Sequence, residues 1–457
     1  MPAFGRVLFV FPETRYPSGQ PPLGIAHLAA VARKAGCDVE LCDMSFSGDP
    51  FGDLTRKIDS FAPELVAISV VTPQLRAAVD ASKIVRNSSP DSLLVIGGPH
   101  ATVMPEDTLE RTGADLVYSG EGEVAFARIL ETGEWNLLPG ACFLSDGKAV
   151  RNPGLLLTEN LDDILPPDRS IFDMETYFAH WYSMDRVDTR LRGTSILGTR
   201  GCPYACTFCQ PTLSEIFGSA MRKRSPGGIV RELSGLKEEY GIDSFMFEDS
   251  TFIIDSKWVH SICDLLVERK LDLKWCCNVR ADLLTGDLLD HMYEAGLRKV
   301  NIGVESASQR VLDEIYNKQI TVEGVRRALA LCKARKIFVQ GYFMLGAPGE
   351  TLEEMRLTVE FAARNPFDDA LFDITTPFPH TVLWDRTKHL IRSDMTEFDC
   401  FHNCVFDLGE ITPQEVEKLK KRAFWRFYLH PSRILRTLLT VASPRNLRRT
   451  LIKARRV

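Results

Sequence analysis

Long apolar runs are missing. No stretch of about 18 apolar residues occurs in the 457 positions, so no segment reads as a membrane-spanning helix. Residues 1–6 lead straight into a short apolar strand without a signal-peptide core, and the expectation is a cytoplasmic protein. An excess of positive charge is missing too: 55 lysines and arginines stand against 61 acids, a net charge of −6, which offers nucleic acid no general electrostatic handle. Twelve cysteines are too few for a disulfide scaffold and read instead as core residues, metal ligands or reactive thiols. There is no low-complexity tract and no internal repeat beyond alternating strand and helix patterns. What remains, 45% hydrophobic and 25% charged, is the composition of an ordinary globular protein of two or three domains.

The first part of the chain alternates short β-branched runs, at 7–11, 38–42, 65–71, 93–96 and 116–118, with helical stretches. Alternation of this kind predicts a doubly wound parallel sheet, with ligands beyond the carboxyl ends of the strands. The Gly/Pro loops at 12–24, Gly97-Gly98-Pro99-His100 and Ser119-Gly120-Glu121 fall there. Residues 1–135 form this domain, and 136–192, hydrophilic and aperiodic, read as a linker. A second series follows over 193–395, with strands near 194–198, 243–247, 273–278, 299–304, 337–344 and 370–376; six β/α units predict an open, partial barrel. Residues 396–457 read as a helical C-terminal region with a basic tail. Residues 430–457 hold eight arginines or lysines and no acid, which reads either as surface helices or as a docking surface for an acidic partner or lipid headgroups.

After the first strand of the second series come Cys202, Cys206 and Cys209 in the spacing Cys-x3-Cys-x2-Cys, with Phe208 just before the last. Three thiols on one loop match three corners of an iron–sulfur cubane and leave the fourth iron open to a chelating ligand. A structural zinc ion needs a closed set of four, and no fourth Cys or His lies at a suitable spacing.

This motif resembles that of the radical S-adenosylmethionine (SAM) superfamily. The resemblance implies a [4Fe-4S] cluster on Cys202, Cys206 and Cys209, SAM bound at the open iron, reductive cleavage to a 5′-deoxyadenosyl radical, and Phe208 near the adenine. It further implies that Glu248 and Asp249, after the second barrel strand, receive the SAM ammonium, that Arg280 forks onto the methionine carboxylate, and that Glu305 and Ser306 bond the ribose or amino group. Residues 343–351, with the turn Gly346-Ala347-Pro348-Gly349, are similar to a family signature that lies against the adenine. An electron donor such as a flavodoxin, a ferredoxin or a dedicated reductase is implied as a partner, and a small molecule as substrate.

The domain ahead of the barrel is similar to the cobalamin-binding domain of a large radical SAM subfamily, with Gly97, Gly98 and Gly120 in the cofactor groove. The chain departs from the best-known cobalamin motif, Asp-x-His-x-x-Gly, because the loop at 13–24 holds no histidine. His100 reads as a loop histidine rather than a cobalt ligand. Members lacking the motif include both cobalamin binders and proteins without cobalamin. The first expectation is cobalamin-assisted methyl transfer to a substrate radical; the alternative is cobalamin-independent dehydration of a sugar diol, cyclisation or oxidation. A reading from another class, a cobalamin- or redox-responsive binding protein, is disfavoured by the run of motifs at successive strand ends. Cys276 and Cys277, adjacent on the third barrel strand, place one thiol inward as a candidate hydrogen donor. His380, where the family often has glycine, is a candidate acid or base, and Cys400 with Cys404 a candidate pair for an auxiliary cluster.

Overall fold

The run Val7-Leu8-Phe9-Val10 lacks polar alternation, as a strand covered on both faces should, and all four side chains are buried. In the computed structural model, which describes residues 2–218, 220–431 and 433–434, this run is β1 (Arg6–Phe11) of the first of two compact units, Met1–His180 with Thr212–Lys223. Beside it lie β2 (Asp38–Asp43), β3 (Leu65–Ser69), β4 (Leu93–Gly97) and β5 (Leu116–Tyr118), parallel and in the order β2-β1-β3-β4-β5. Leu8, Val10, Val66, Ile68, Leu94 and Ile96 pack on one face against Leu54 and Ile58 of the helix Pro50–Phe61 and Ala78, Ala81 and Val85 of the helix Leu75–Ser88. Phe9 meets Phe126 on the other face, at 5.6 Å between ring centroids.

Residues 136–192, expected to be a linker, are largely built into the two units. The strands β6 (Ala141–Ser145) and β7 (Lys148–Arg151) extend the first sheet antiparallel from β5. They escape periodicity because every residue of β7 is exposed and no apolar alternation survives. The available signal was Asp146-Gly147, both at positive φ, a pair that closes two-residue hairpins.

The second unit, Trp181–Pro211 with the described chain from Arg224 onward, is an open half-barrel. It contains β8 (Gly193–Ile196) and the short β9 (Thr199–Arg200), while β10 (Arg222–Lys223) falls in the first unit. Then come β11 (Ser244–Phe247), β12 (Lys274–Val279), β13 (Leu297–Glu305), β14 (Phe338–Leu345) and β15 (Asp369–Ile374), and the all-parallel sheet runs β8-β11-β12-β13-β14-β15. The six strands are those expected.

Residues 181–191 close the amino-terminal end of this barrel. Trp181, Met184 and Leu191 form a cluster with Met246 and Cys276. Trp181 donates to Ser244 Oγ at 3.1 Å, the carbonyl of Ser183 accepts from Lys299 Nζ at 2.8 Å, and Arg186 pairs with Asp369 at the start of β15. The C-terminal region is not a separate body: the helix Pro413–Tyr428 buries Val416, Ala423 and Phe427 and packs against β15 and the helix Leu352–Arg364. The basic tail from 435 onward lies outside the described residues.

Candidate active site

The cysteine loop follows β9 and is bound to the segment after the short π-helical turn Val311–Ile315. Thr207 N donates to Tyr316 O at 2.9 Å, Thr207 Oγ1 to Ile315 O at 2.6 Å, and Asn317 Nδ2 to Ala205 O at 3.0 Å. The loop curls on itself through Cys209 N to Cys206 O at 3.0 Å and Gln210 Nε2 to Cys202 O at 3.2 Å. All three cysteines are free thiols. Among the described residues no three His, Cys, Asp or Glu side chains converge as they would around a single ion. Three neighbouring but non-convergent thiols on a curled loop suit a cubane, whose irons are each held by their own thiolate.

Beside this loop lies a buried ion pair that sequence reasoning missed. Lys318 Nζ stands 2.8 Å from Glu305 Oε1, with both side chains about nine-tenths buried, and 5.5 Å from the centroid of Phe208, whose ring meets Tyr316 edge-on. Burial raises the Cys206 and Cys209 thiols, the latter to about 12, and the Lys318 ammonium is the main influence in the other direction. Burial also opposes the ammonium, but Glu305 and the nearby thiols outweigh it and hold Lys318 above its ordinary range. A fixed cation beside three thiolates offsets the charge that a cluster would bring.

The other expected residues divide. Glu248 is only partly buried by surface and has its carboxyl raised to about 7, first by desolvation and then by Asp249. Asp249 turns the other way: Oδ2 accepts from Gly198 N at 3.1 Å and its carbonyl accepts from Asn278 Nδ2, so it pins the turn that leads into the cysteine loop. Arg280 is 4% exposed and already engaged. It forks onto Asp282, donates to the carbonyls of Lys318 and Gln319 at 3.0 and 3.1 Å, and lies 3.5 Å over the Tyr204 ring, within the cysteine loop. Ser306 is fully buried and hydrogen-bonds Thr358 Oγ1 at 3.2 Å on the helix Leu352–Arg364.

Cys276 is sealed in the apolar floor cluster, and Cys277 has Cys263 and Cys332, on the surrounding helices, among its neighbours; both thiols are raised by burial. Neither is exposed. His380 is exposed with φ +59, a conformation that glycine adopts without strain. The helix that follows, Val382–Thr387, donates Val382 N to Gln210 O and Leu383 N to Thr207 O, both at 2.8 Å, closing over the cysteine loop. Cys400 and Cys404 gather no third ligand among the described residues.

The signature turn after β14 has Gly346 and Gly349 at positive φ. Glu350 Oε2 accepts from Gly346 N and Ala347 N at 2.9 and 3.1 Å, while burial lifts its carboxyl from an ordinary 4.5 to about 8. The unfolded chain therefore ionises Glu350 near 4.5 while the folded chain keeps the proton to about 8, so this group makes stability fall as pH rises through that window. Glu350→Gln is expected to flatten the pH dependence of the urea midpoint between about pH 5 and 8. A variant with the full wild-type slope would contradict this account.

In the first unit, a cavity of about 310 Å³ opens at the carboxyl ends of β1, β2 and β3, where the strand order reverses. Phe11, Tyr16, Phe46 and Tyr177 give it an aromatic wall, and Ser69 and Gln74 polar groups. No histidine lines it. His100 is buried, bonds Thr72 Oγ1 at 3.0 Å and is lowered to about 4 by burial, so its imidazole is neutral. Gly98, at φ +98, lets two backbones meet: a Cβ there would stand 2.8 Å from Val70 N. Gly120, also at positive φ, has the Leu155 side chain at 3.1 Å from such a Cβ, whereas Gly97 has open space. An open, aromatic-walled bay at a switch point fits part of a large planar cofactor, without an imidazole for its metal.

The B12 binding domain family matches residues 15–130, and the radical SAM superfamily residues 196–362. An uncharacterized methyltransferase of Pyrococcus horikoshii is 31% identical over 426 residues, 92% of this chain and 90% of its own. The anaerobic magnesium-protoporphyrin IX monomethyl ester cyclase of Rubrivivax gelatinosus is 30% identical over 400 residues, 83% of this chain and 70% of its own. Among solved structures, the radical SAM methyltransferase TsrM from Kitasatospora setae, with cobalamin and [4Fe-4S] cluster bound, superposes with a TM-score of 0.69 at 21% identity over 91% of this chain and 81% of that one. The cobalamin-dependent radical enzyme OxsB does so at 0.76 and 17%, over 99% and 71%; these are likenesses of fold. The chain belongs to the radical SAM superfamily, among the enzymes that carry a B12-binding domain ahead of a radical SAM domain whose cofactors are a [4Fe-4S] cluster and SAM.

Proposed function

We propose that this chain is a cobalamin-dependent methyltransferase acting on a carbon of a small molecule. The observation that carries the reading is the pairing, in one chain, of a three-thiol loop beside a buried ammonium with a switch-point bay in the B12-binding domain, in a chain 31% identical over nearly its full length to a protein named as a methyltransferase. When bound, the cluster and SAM supply an electron and a radical, and cobalamin supplies a transferable methyl group. The protein's own share is positional. Cys202, Cys206 and Cys209 hold the cluster; Lys318 offsets its charge; Glu248, partly exposed and poised near 7, is the carboxylate offered to the SAM ammonium. The glycine turn held by Glu350 presents backbone to the adenine.

The test is anaerobic reconstitution with iron, sulfide and hydroxocobalamin, followed by incubation with SAM and a reductant. Cobalamin is expected to stay with the chain through desalting, held by the bay at the carboxyl ends of β1, β2 and β3. Iron retained without cobalamin would overturn methyl transfer and favour dehydration, cyclisation or oxidation.

A further inference from the structure

The helix Pro413–Tyr428 turns one face to the barrel and leaves the opposite face, basic with two large apolar side chains, exposed. Val416, Lys420, Ala423 and Phe427 form the buried stripe. Opposite, at about 100° per residue, Lys418, Lys421, Arg422, Trp425 and the following Leu429 fall within an arc of about 100°, and all five are exposed. Trp425 is 56% and Leu429 53% exposed, among the largest apolar exposures of the described chain. The charges on this arc are all positive.

The sequence continues the bias. Residues 435–457 hold seven lysines or arginines and no acid, with leucines recurring beside them. From 413 to the last residue there are 13 basic residues against two acids, so the chain ahead of this segment is net −17 while the whole is −6.

We propose that this face docks the enzyme on an anionic lipid surface. Tryptophan and leucine between lysines and arginines on one helical face are the arrangement that seats a helix at a headgroup boundary: the rings and methyl groups enter the apolar layer while the charges stay with the phosphates.

The full chain is to be sedimented with phosphatidylglycerol-containing vesicles and with pure phosphatidylcholine vesicles. Binding is expected to the first only, falling several-fold as salt rises, and falling several-fold in both Trp425→Ser/Leu429→Ser and Lys421→Glu/Arg422→Glu. Because these side chains are exposed, the urea midpoints of both variants should match wild type, which separates docking from folding. Equal binding to both vesicles, no binding to the anionic ones at low salt, or unchanged binding by both variants would overturn the proposal; the second result would assign the face to an acidic protein.

Discussion

Lys318→Met is expected to destabilise the barrel unit by about 3–5 kcal/mol, because it strands the buried Glu305 carboxylate without the ammonium that pairs with it. The loss should be measurable as a lower urea midpoint with an unchanged m-value. Glu305→Gln/Lys318→Met should recover most of it, since no uncompensated charge is left inside. The two variants part company from wild type together in another property. Without the ammonium near Cys206 and Cys209, a reconstituted cluster faces more uncompensated negative charge, and its midpoint potential, followed by EPR titration, should be more negative in both, but less so in the double variant, which also loses the opposing charge of Glu305. A double variant no more stable than the single, or potentials equal to wild type, would remove Lys318 from the role given to it.

Replacing Arg280 with lysine is expected to cost the protein most of its iron even though the charge is kept. The guanidinium ties Asp282 and the carbonyls of Lys318 and Gln319 to one plane and lays that plane on Tyr204, two residues after the first cysteine. An ammonium has neither the fork nor the flat face. Carbonyls left unpaired in a buried setting cost about 1–3 kcal/mol each, enough to loosen the loop they border. The resemblance alone makes Arg280 a SAM carboxylate ligand, and the two roles predict opposite results: as a ligand, Arg280→Lys weakens SAM binding at full iron content; as a brace, it lowers iron and leaves SAM affinity per cluster unchanged. Iron per chain and SAM affinity measured on the same preparation decide between them.

The parallel strands and the cysteine loop were legible because each is written in one contiguous run, and local pattern suffices for local structure. Lys318 was not, because what brings it to the cysteines is the path of the chain through Asn317 and Gln319, two non-glycine residues at positive φ that no periodicity announces. Strand β13 shifts register against β14 between Gly303 and Glu305, and Glu305 itself has φ +62, so alternation counted along the strand assigns the wrong face beyond that point. The pair Cys276 and Cys277 shows where alternation works: one thiol inside, one toward the helices. Their chemistry, however, is decided by the layer each occupies, and Cys276 lies in the floor under Trp181.

That floor also governs traffic. Residues 181–191 stopper the barrel at its amino-terminal end, through Trp181 at β11, Ser183 at Lys299 and Arg186 at β15. With that end stoppered, nothing reaches the site from below: the molecules used in a turnover come from the strands' carboxyl ends or through the open side of the half-barrel, between its edge strands β8 and β15.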